Sequence, residues 1–175
     1  MTTLDDTQAR SGPEAAPYRV LVVEDDRSQA VFAEAILRGA GMLAEVVPQP
    51  EGMLEALERF APDIVLMDLH MPGASGTELT NRIRLHPRFS HTPVVFLTGD
   101  ADPEREMEAL EHGGDDYIVK PVRPRHLIAA IRNRAARARQ FARATFAPAP
   151  DPDTGLLPRA APMQAPDDTA GDPAL

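Results

Sequence analysis

The feature that most constrains this chain is an alternation of two hydropathy periods. Five short apolar runs occur in order: RVLVV (19–23), LAEVV (43–47), DIVLM (63–67), PVVFL (93–97) and DYIV (116–119). Each is followed by a stretch of helical period. The first, 26–41, aligns Ala33, Ile36, Leu37 and Ala40 and stops at Gly41. The second, 50–60, aligns Met53, Leu57 and Phe60, and the third, 75–86, sets Leu79 and Ile83 four apart. The fourth, 102–113, opens with Asp102 as N-cap and Pro103 at the first helical position, and stops at Gly113. The fifth, 124–145, is long. Short strands alternating with helices predict an α/β fold with a parallel sheet covered on both faces. The continuous apolar character of runs 1, 3 and 4 fits strands buried on both sides. Right-handed crossovers then favour a doubly wound five-stranded sheet, strand order 2-1-3-4-5.

Composition sets limits around that core. There is no cysteine, so neither a disulfide framework nor a thiolate metal site is available. Lys+Arg 18 against Asp+Glu 27 leaves a net charge of -9, which disfavours direct nucleic-acid binding through phosphate neutralisation. The first residues show no basic-then-apolar leader, and no run approaches the roughly 20 apolar residues of a membrane span. A soluble, cytoplasmic protein without membrane contact is expected. Residues 1–17 and 146–175 are polar or rich in Pro, Ala and Asp, and are expected to be disordered tails around a domain at 18–145.

In a doubly wound sheet, ligands bind beyond the carboxyl ends of the strands, near the switch point. Glu24, Asp25 and Asp26 follow run 1, Asp68 follows run 3, Thr98 and Gly99 follow run 4, and Lys120, the only lysine of the chain, follows run 5. Taken singly, each has a plain structural explanation. Asp26 suits a helix start, Thr98 a turn, and Asp68 a cap for 71–76. Their meeting at one edge is what points to chemistry. Clustered carboxylates resist ionising together, and Mg²⁺ relieves this while accepting phosphate oxygens. A carboxylate so placed is a candidate nucleophile toward phosphorus, and a lysine is a compact counter-charge for the transferred group.

The segments VLVVEDD, DIVLMDLHMPGASG, VVFLTG and YIVKP, in this order and spacing, resemble the receiver domain of bacterial two-component response regulators, over roughly residues 18–140. The resemblance implies the flavodoxin-like (CheY-like) receiver fold. It also implies Asp68 as phosphoacceptor and Mg²⁺ held by Glu24, Asp25, Asp68 and the backbone carbonyl of His70. Thr98 and Lys120 would contact the phosphoryl group, and Tyr117 would follow Thr98 in the switch. Gly99 would leave room beside the acceptor, and Gly76 would close the loop after strand 3. His70 and Asp100 stand at positions that tune hydrolysis. The Lys120–Pro121 peptide would be cis. The implied phosphoryl donor is a histidine kinase or histidine phosphotransfer protein.

The acidic fourth helix (Glu104, Glu106, Glu108, Glu111) and arginine-rich fifth helix are either two solvated faces or the two halves of an isologous dimer through helix 4, strand 5 and helix 5. DPDTGLLPR (151–159) is similar to the opening of GGDEF domains, with Asp153 and Pro158 departing from the pattern; a link to cyclic di-GMP signalling is the reading it carries. Rival functions are each short of a residue. A haloacid-dehalogenase-like phosphatase using Asp68 wants a second Asp where His70 stands. A flavodoxin-like FMN binder wants a phosphate loop where EDDRSQ is acidic. A transcription factor wants a helix-turn-helix.

Overall fold

The computed structural model describes residues 16–99 and 103–146. Five parallel strands form one sheet: β1 (Arg19–Val23), β2 (Leu43–Val47), β3 (Ile64–Asp68), β4 (Val94–Thr98) and β5 (Asp116–Val119). Their spatial order is β2-β1-β3-β4-β5, as the hydropathy alternation predicts. The helices are α1 (Arg27–Gly39), α2 (Met53–Phe60), α3 (Gly76–Leu85), α4 (Pro103–Glu111) and α5 (Pro124–Phe146). The chain divides into two units after Phe141, and of the second unit the described residues are the end of α5.

The sheet separates two cores. On one face Leu21, Val23, Val65, Met67, Val94 and Phe96 pack against Met53, Leu57, Leu79, Ile83 and Ala109 of α2, α3 and α4. On the other, Val20, Val22, Leu66, Val95 and Leu97 pack against Ala33, Leu37, Leu127, Ile131 and Ala135 of α1 and α5. Every residue of β3 and β4 is buried, which is why these runs show no polar alternation. Each large aliphatic side chain so buried contributes about 1.5–3 kcal/mol.

Several local boundaries differ from the sequence reading. β3 and β4 begin and end one residue later than the apolar runs, so Asp68 and Thr98 are strand-terminal residues rather than residues after the strand. Backbone pairing continues past both: Leu69 N–H donates to Leu97 O (2.9 Å) and Lys120 N–H to Thr98 O (2.8 Å). A polar side chain ends a hydrophobic run but not a hydrogen-bonded ladder. α1 ends at Gly39, and Gly41 follows at φ +80. The stretch 50–60 opens with a 3₁₀ turn, Pro50–Gly52, before α2. Asp102 lies outside the described residues, as do most of the two tails and DPDTGLLPR.

After β3, His70–Met71 and Ala74–Ser75 pair as a small antiparallel hairpin, with Gly73 at φ +87 in its turn. Asp68 caps nothing here. Ser75 is the N-cap of α3, in a capping box with Glu78. Gly76 then donates its N–H to Leu69 O (3.0 Å). A Cβ at Gly76 would stand 2.7 Å from Asp68 O and 3.1 Å from the Phe96 ring, so only glycine closes the loop this tightly.

Two arginines tie distant segments together. Arg84 donates to the carbonyls of Ser90, Thr92 and Gly113 and to Asp115 Oδ2, joining α3 to the entrances of β4 and β5. Arg139 on α5 forms a forked pair with Asp63 (2.7 and 2.6 Å), donates to the Ala16 and Pro17 carbonyls, and stacks over Tyr18. Each saturates most of a planar five-donor group against oxygens that would otherwise face solvent.

Candidate functional site

The carboxyl ends of β1, β3, β4 and β5 bring the predicted residues to one edge. The register sets Val23 beside Met67, Asp68 beside Leu97 and Thr98 beside Val119, so residues at or just after each strand end become neighbours.

Glu24 follows β1 directly and is fully buried. Its N–H donates to Val47 O (3.2 Å), which holds the residue in line with the sheet. Its Oε1 accepts from the N–H of Asp26 (3.1 Å), and its Oε2 from Lys120 Nζ (3.2 Å). Asp25 beside it is exposed. The Asp26 side chain takes no part in the cluster: its Oδ1 accepts from the Ser28 hydroxyl and from the N–H groups of Ser28 and Gln29, capping α1. Those bonds, that from the Ser28 side chain foremost, hold its carboxyl below the usual range.

Asp68 is 7% exposed at the tip of β3. Its Oδ1 accepts from the His70 N–H (3.0 Å), and its Oδ2 from Lys120 Nζ (3.1 Å). Lys120 therefore bridges the two buried carboxylates from β5's end, with the Lys120–Pro121 peptide cis. Thr98 is buried at the end of the intervening strand. A Cβ built on Gly99 meets no atom within 4 Å, so the space there is open. The His70 side chain lies on the exposed side of the hairpin. Asp100 lies outside the described residues.

One carboxylate oxygen from each of Glu24, Asp25 and Asp68 falls within 4.8 Å of the others, the one such acidic group among the described residues. The Glu24 carboxyl is pushed up to about 7, first by burial and then by the neighbouring Asp68 charge, while the Asp26 N–H and Lys120 pull the other way. One ammonium facing three carboxylates leaves the cluster short of positive charge. The donors are all oxygens, hard and closely grouped, so the residues fit a small divalent cation such as Mg²⁺.

Tyr117 stands two residues before Val119, on the same sheet face as Phe96 and Thr98. Its ring packs against the α2–α4 core. The Glu106 side chain, as hydrogen-bond acceptor and as charge, raises the phenol above its ordinary value. Sequence reading found Tyr117 but not the influence of Glu106 on its phenol. It also missed the bond from the Asp26 N–H that orients Glu24. The S-x-x-E signature of the Ser75 cap was visible in the sequence.

A family description, the response regulator receiver domain, matches residues 20–132. An uncharacterized 76.5 kDa protein of Thiocystis violacea is 40% identical over 147 residues, covering 83% of this chain and 21% of that protein. The DNA-binding response regulator MtrA of Mycolicibacterium paratuberculosis is 39% identical over 119 residues, 68% of this chain and 52% of MtrA. This chain thus spans about half of MtrA and about a fifth of the Thiocystis protein. Among solved structures, the receiver domain of the sensor histidine kinase PA1611 from Pseudomonas aeruginosa superposes with a TM-score of 0.64 at 27% identity, covering 69% of this chain and 99% of that one. That structure holds a magnesium ion coordinated in its active-site cleft.

Proposed function

This chain belongs to the response regulator receiver family, and we propose on that premise that Asp68 accepts a phosphoryl group from a phosphorylated histidine. Receiver domains are signalling switches, so the expected consequence is a change of shape read by a partner, not turnover of a substrate. The observation that carries this reading is Lys120 Nζ bridging the buried carboxylates of Asp68 (3.1 Å) and Glu24 (3.2 Å) at the carboxyl edge of the sheet.

An Asp68 carboxylate oxygen attacks phosphorus; the P–O bond forms as the donor's P–N bond breaks, and the departing imidazole takes up a proton. The His70 N–H fixes one Asp68 oxygen, so the carboxylate is oriented before the donor arrives. Lys120 is already beside the acceptor and supplies a counter-charge for the transferred group's oxygens. Glu24, Asp25, Asp68 and the His70 carbonyl are the residues to hold Mg²⁺, which when bound neutralises charge on the carboxylates and on the phosphoryl oxygens. Thr98 hydrogen-bonds the phosphoryl group, and Tyr117 follows it, shifting the face of α4, β5 and α5 between two pre-existing arrangements. His70 and Asp100 tune the rate at which water returns the acyl phosphate to carboxylate. The donor class is a histidine kinase or histidine phosphotransfer protein. The readout surface serves a partner or a second copy through α4, β5 and α5.

Acetyl phosphate with Mg²⁺ tests the acceptor. One added phosphoryl group by intact mass, absent in Asp68→Asn, is the expected result. A phosphorylated Asp68→Asn protein would reject Asp68 as acceptor.

A further inference from the structure

We propose that the buried ring of Phe96 is a strut that couples the loop beside the acceptor to the turn that ends α4. The proposal rests on the reading of Asp68 as acceptor and adds a second route out of the site, beside that of Thr98 and Tyr117. Phe96 lies in the middle of β4, with Met67 beside it on β3 and Tyr117 beside it on β5. It is fully buried. Two glycines lie against opposite edges of its ring. A Cβ at Gly76, the first residue of α3, would stand 3.1 Å from Phe96 Cε1 and 2.7 Å from Asp68 O. A Cβ at Gly114 would stand 2.4 Å from Phe96 Cε2 and 2.8 Å from Cδ2.

Gly114 belongs to the turn that closes α4. Gly113 adopts φ +95, its N–H donates to Leu110 O (3.0 Å), and the Gly114 N–H donates to Ala109 O (3.2 Å). This pair of bonds is the glycine-terminated cap of a helix C-terminus. The next N–H, of Asp115, donates to Val94 O (2.8 Å) and leads the chain into β5. An aromatic ring does not flex along its length, and close-packed neighbours leave it no slack. A displacement of Asp68 and Gly76 on phosphorylation is therefore passed across Phe96 to Gly114, and so to the last turn of α4 and the start of β5. The coupling is reciprocal: a change imposed at Gly114 alters binding at the acceptor.

Backbone amide NMR signals of isotope-labelled protein read both ends of the ring. Beryllofluoride with Mg²⁺, a phosphoryl mimic, should shift both Gly76 and Gly114 in the wild type. Phe96→Leu, which removes both outer edges of the ring, should keep the Gly76 shift and lose most of the Gly114 shift. Leu57→Ala opens the same core beneath α2 and should keep both, so lowered stability alone does not reproduce the effect. Gly114→Ala drives a methyl group into the ring and should raise the beryllofluoride concentration for half-saturation severalfold. Adding Phe96→Leu to Gly114→Ala should bring that concentration back toward the wild-type value. If the wild type responds at both glycines and Phe96→Leu keeps the full Gly114 shift, the strut is rejected and the acceptor reading stands. The strut is also rejected if the weakened binding of Gly114→Ala persists unchanged in the double variant. If wild-type protein neither responds to beryllofluoride nor gains a phosphoryl group from acetyl phosphate, the acceptor reading fails and takes the strut with it.

Discussion

Lys120 contacts two carboxylates at once, and that double contact separates charge from geometry as its contribution. An arginine keeps the charge, but its planar fork matches one carboxylate at a time and fills more of a buried edge. Lys120→Arg is therefore expected to retain phosphorylation at Asp68 by intact mass while losing most of the Tyr117 NMR response to beryllofluoride. An unchanged Tyr117 response would mean that any cation suffices there. Glu24 makes a second residue-level prediction. In metal-free protein its carboxyl is raised from 4.5 to about 7, so the folded state holds a proton that the unfolded chain releases. The sign follows by linkage: this group's contribution is full below about pH 4.5 and is lost as pH rises toward 7. The melting temperature in EDTA should fall across that window, and Glu24→Gln should flatten the fall. A slope unchanged by Glu24→Gln would assign the dependence to other groups.

At the scale of elements, the loop between β3 and α3 is the most demanding piece of chain. Ser75 caps α3, and a Cβ at Gly76 would stand only 2.7 Å from Asp68 O. Ser75→Ala should cost about 1 kcal/mol in denaturant unfolding. Gly76→Ala should cost more, about 1–3 kcal/mol, because backbone rather than a pliable side chain stands in the way. It should also slow phosphorylation, since the carbonyl it displaces belongs to the acceptor. The strands, helices and sheet order were legible because buried parallel strands write continuous apolar runs and each crossover helix keeps its own period. The ends of β3 and β4 were not, because Asp68 and Thr98 are polar residues kept in the ladder by backbone bonds. Arg84 and Arg139 left no trace at helical or strand spacing: the partners of Arg84 lie 6 to 31 residues away along the chain and those of Arg139 lie 76 to 123.

For the molecule as a whole, the two cores leave the carboxyl edge of the sheet for the proposed chemistry and the α4–β5–α5 face for the proposed readout. α5 bears six arginines and no acidic residue, beside an α4 rich in glutamate. Arg134 is already paired within the chain to Asp116 (2.7 Å), and Arg132 donates to Ala40 O (3.3 Å). Charge reversal at either would break an intrachain contact as well as an intermolecular one. Arg125 and Arg137 are the cleaner probes of the proposed α4–β5–α5 dimer. Reversing both, or adding about 0.5 M salt, should weaken dimerisation in sedimentation; a dimer indifferent to both treatments would not be held by these charges. Among the described residues no helix is long and apolar enough to cross a membrane. The proposed acceptor role gathers Glu24, Asp25, Asp68, Thr98 and Lys120 into one function, and intact-mass analysis after acetyl phosphate and Mg²⁺ tests it most directly. A single added phosphoryl group, not formed in EDTA and absent from Asp68→Asn, is the expected result; a group that still appears on Asp68→Asn would contradict the acceptor role.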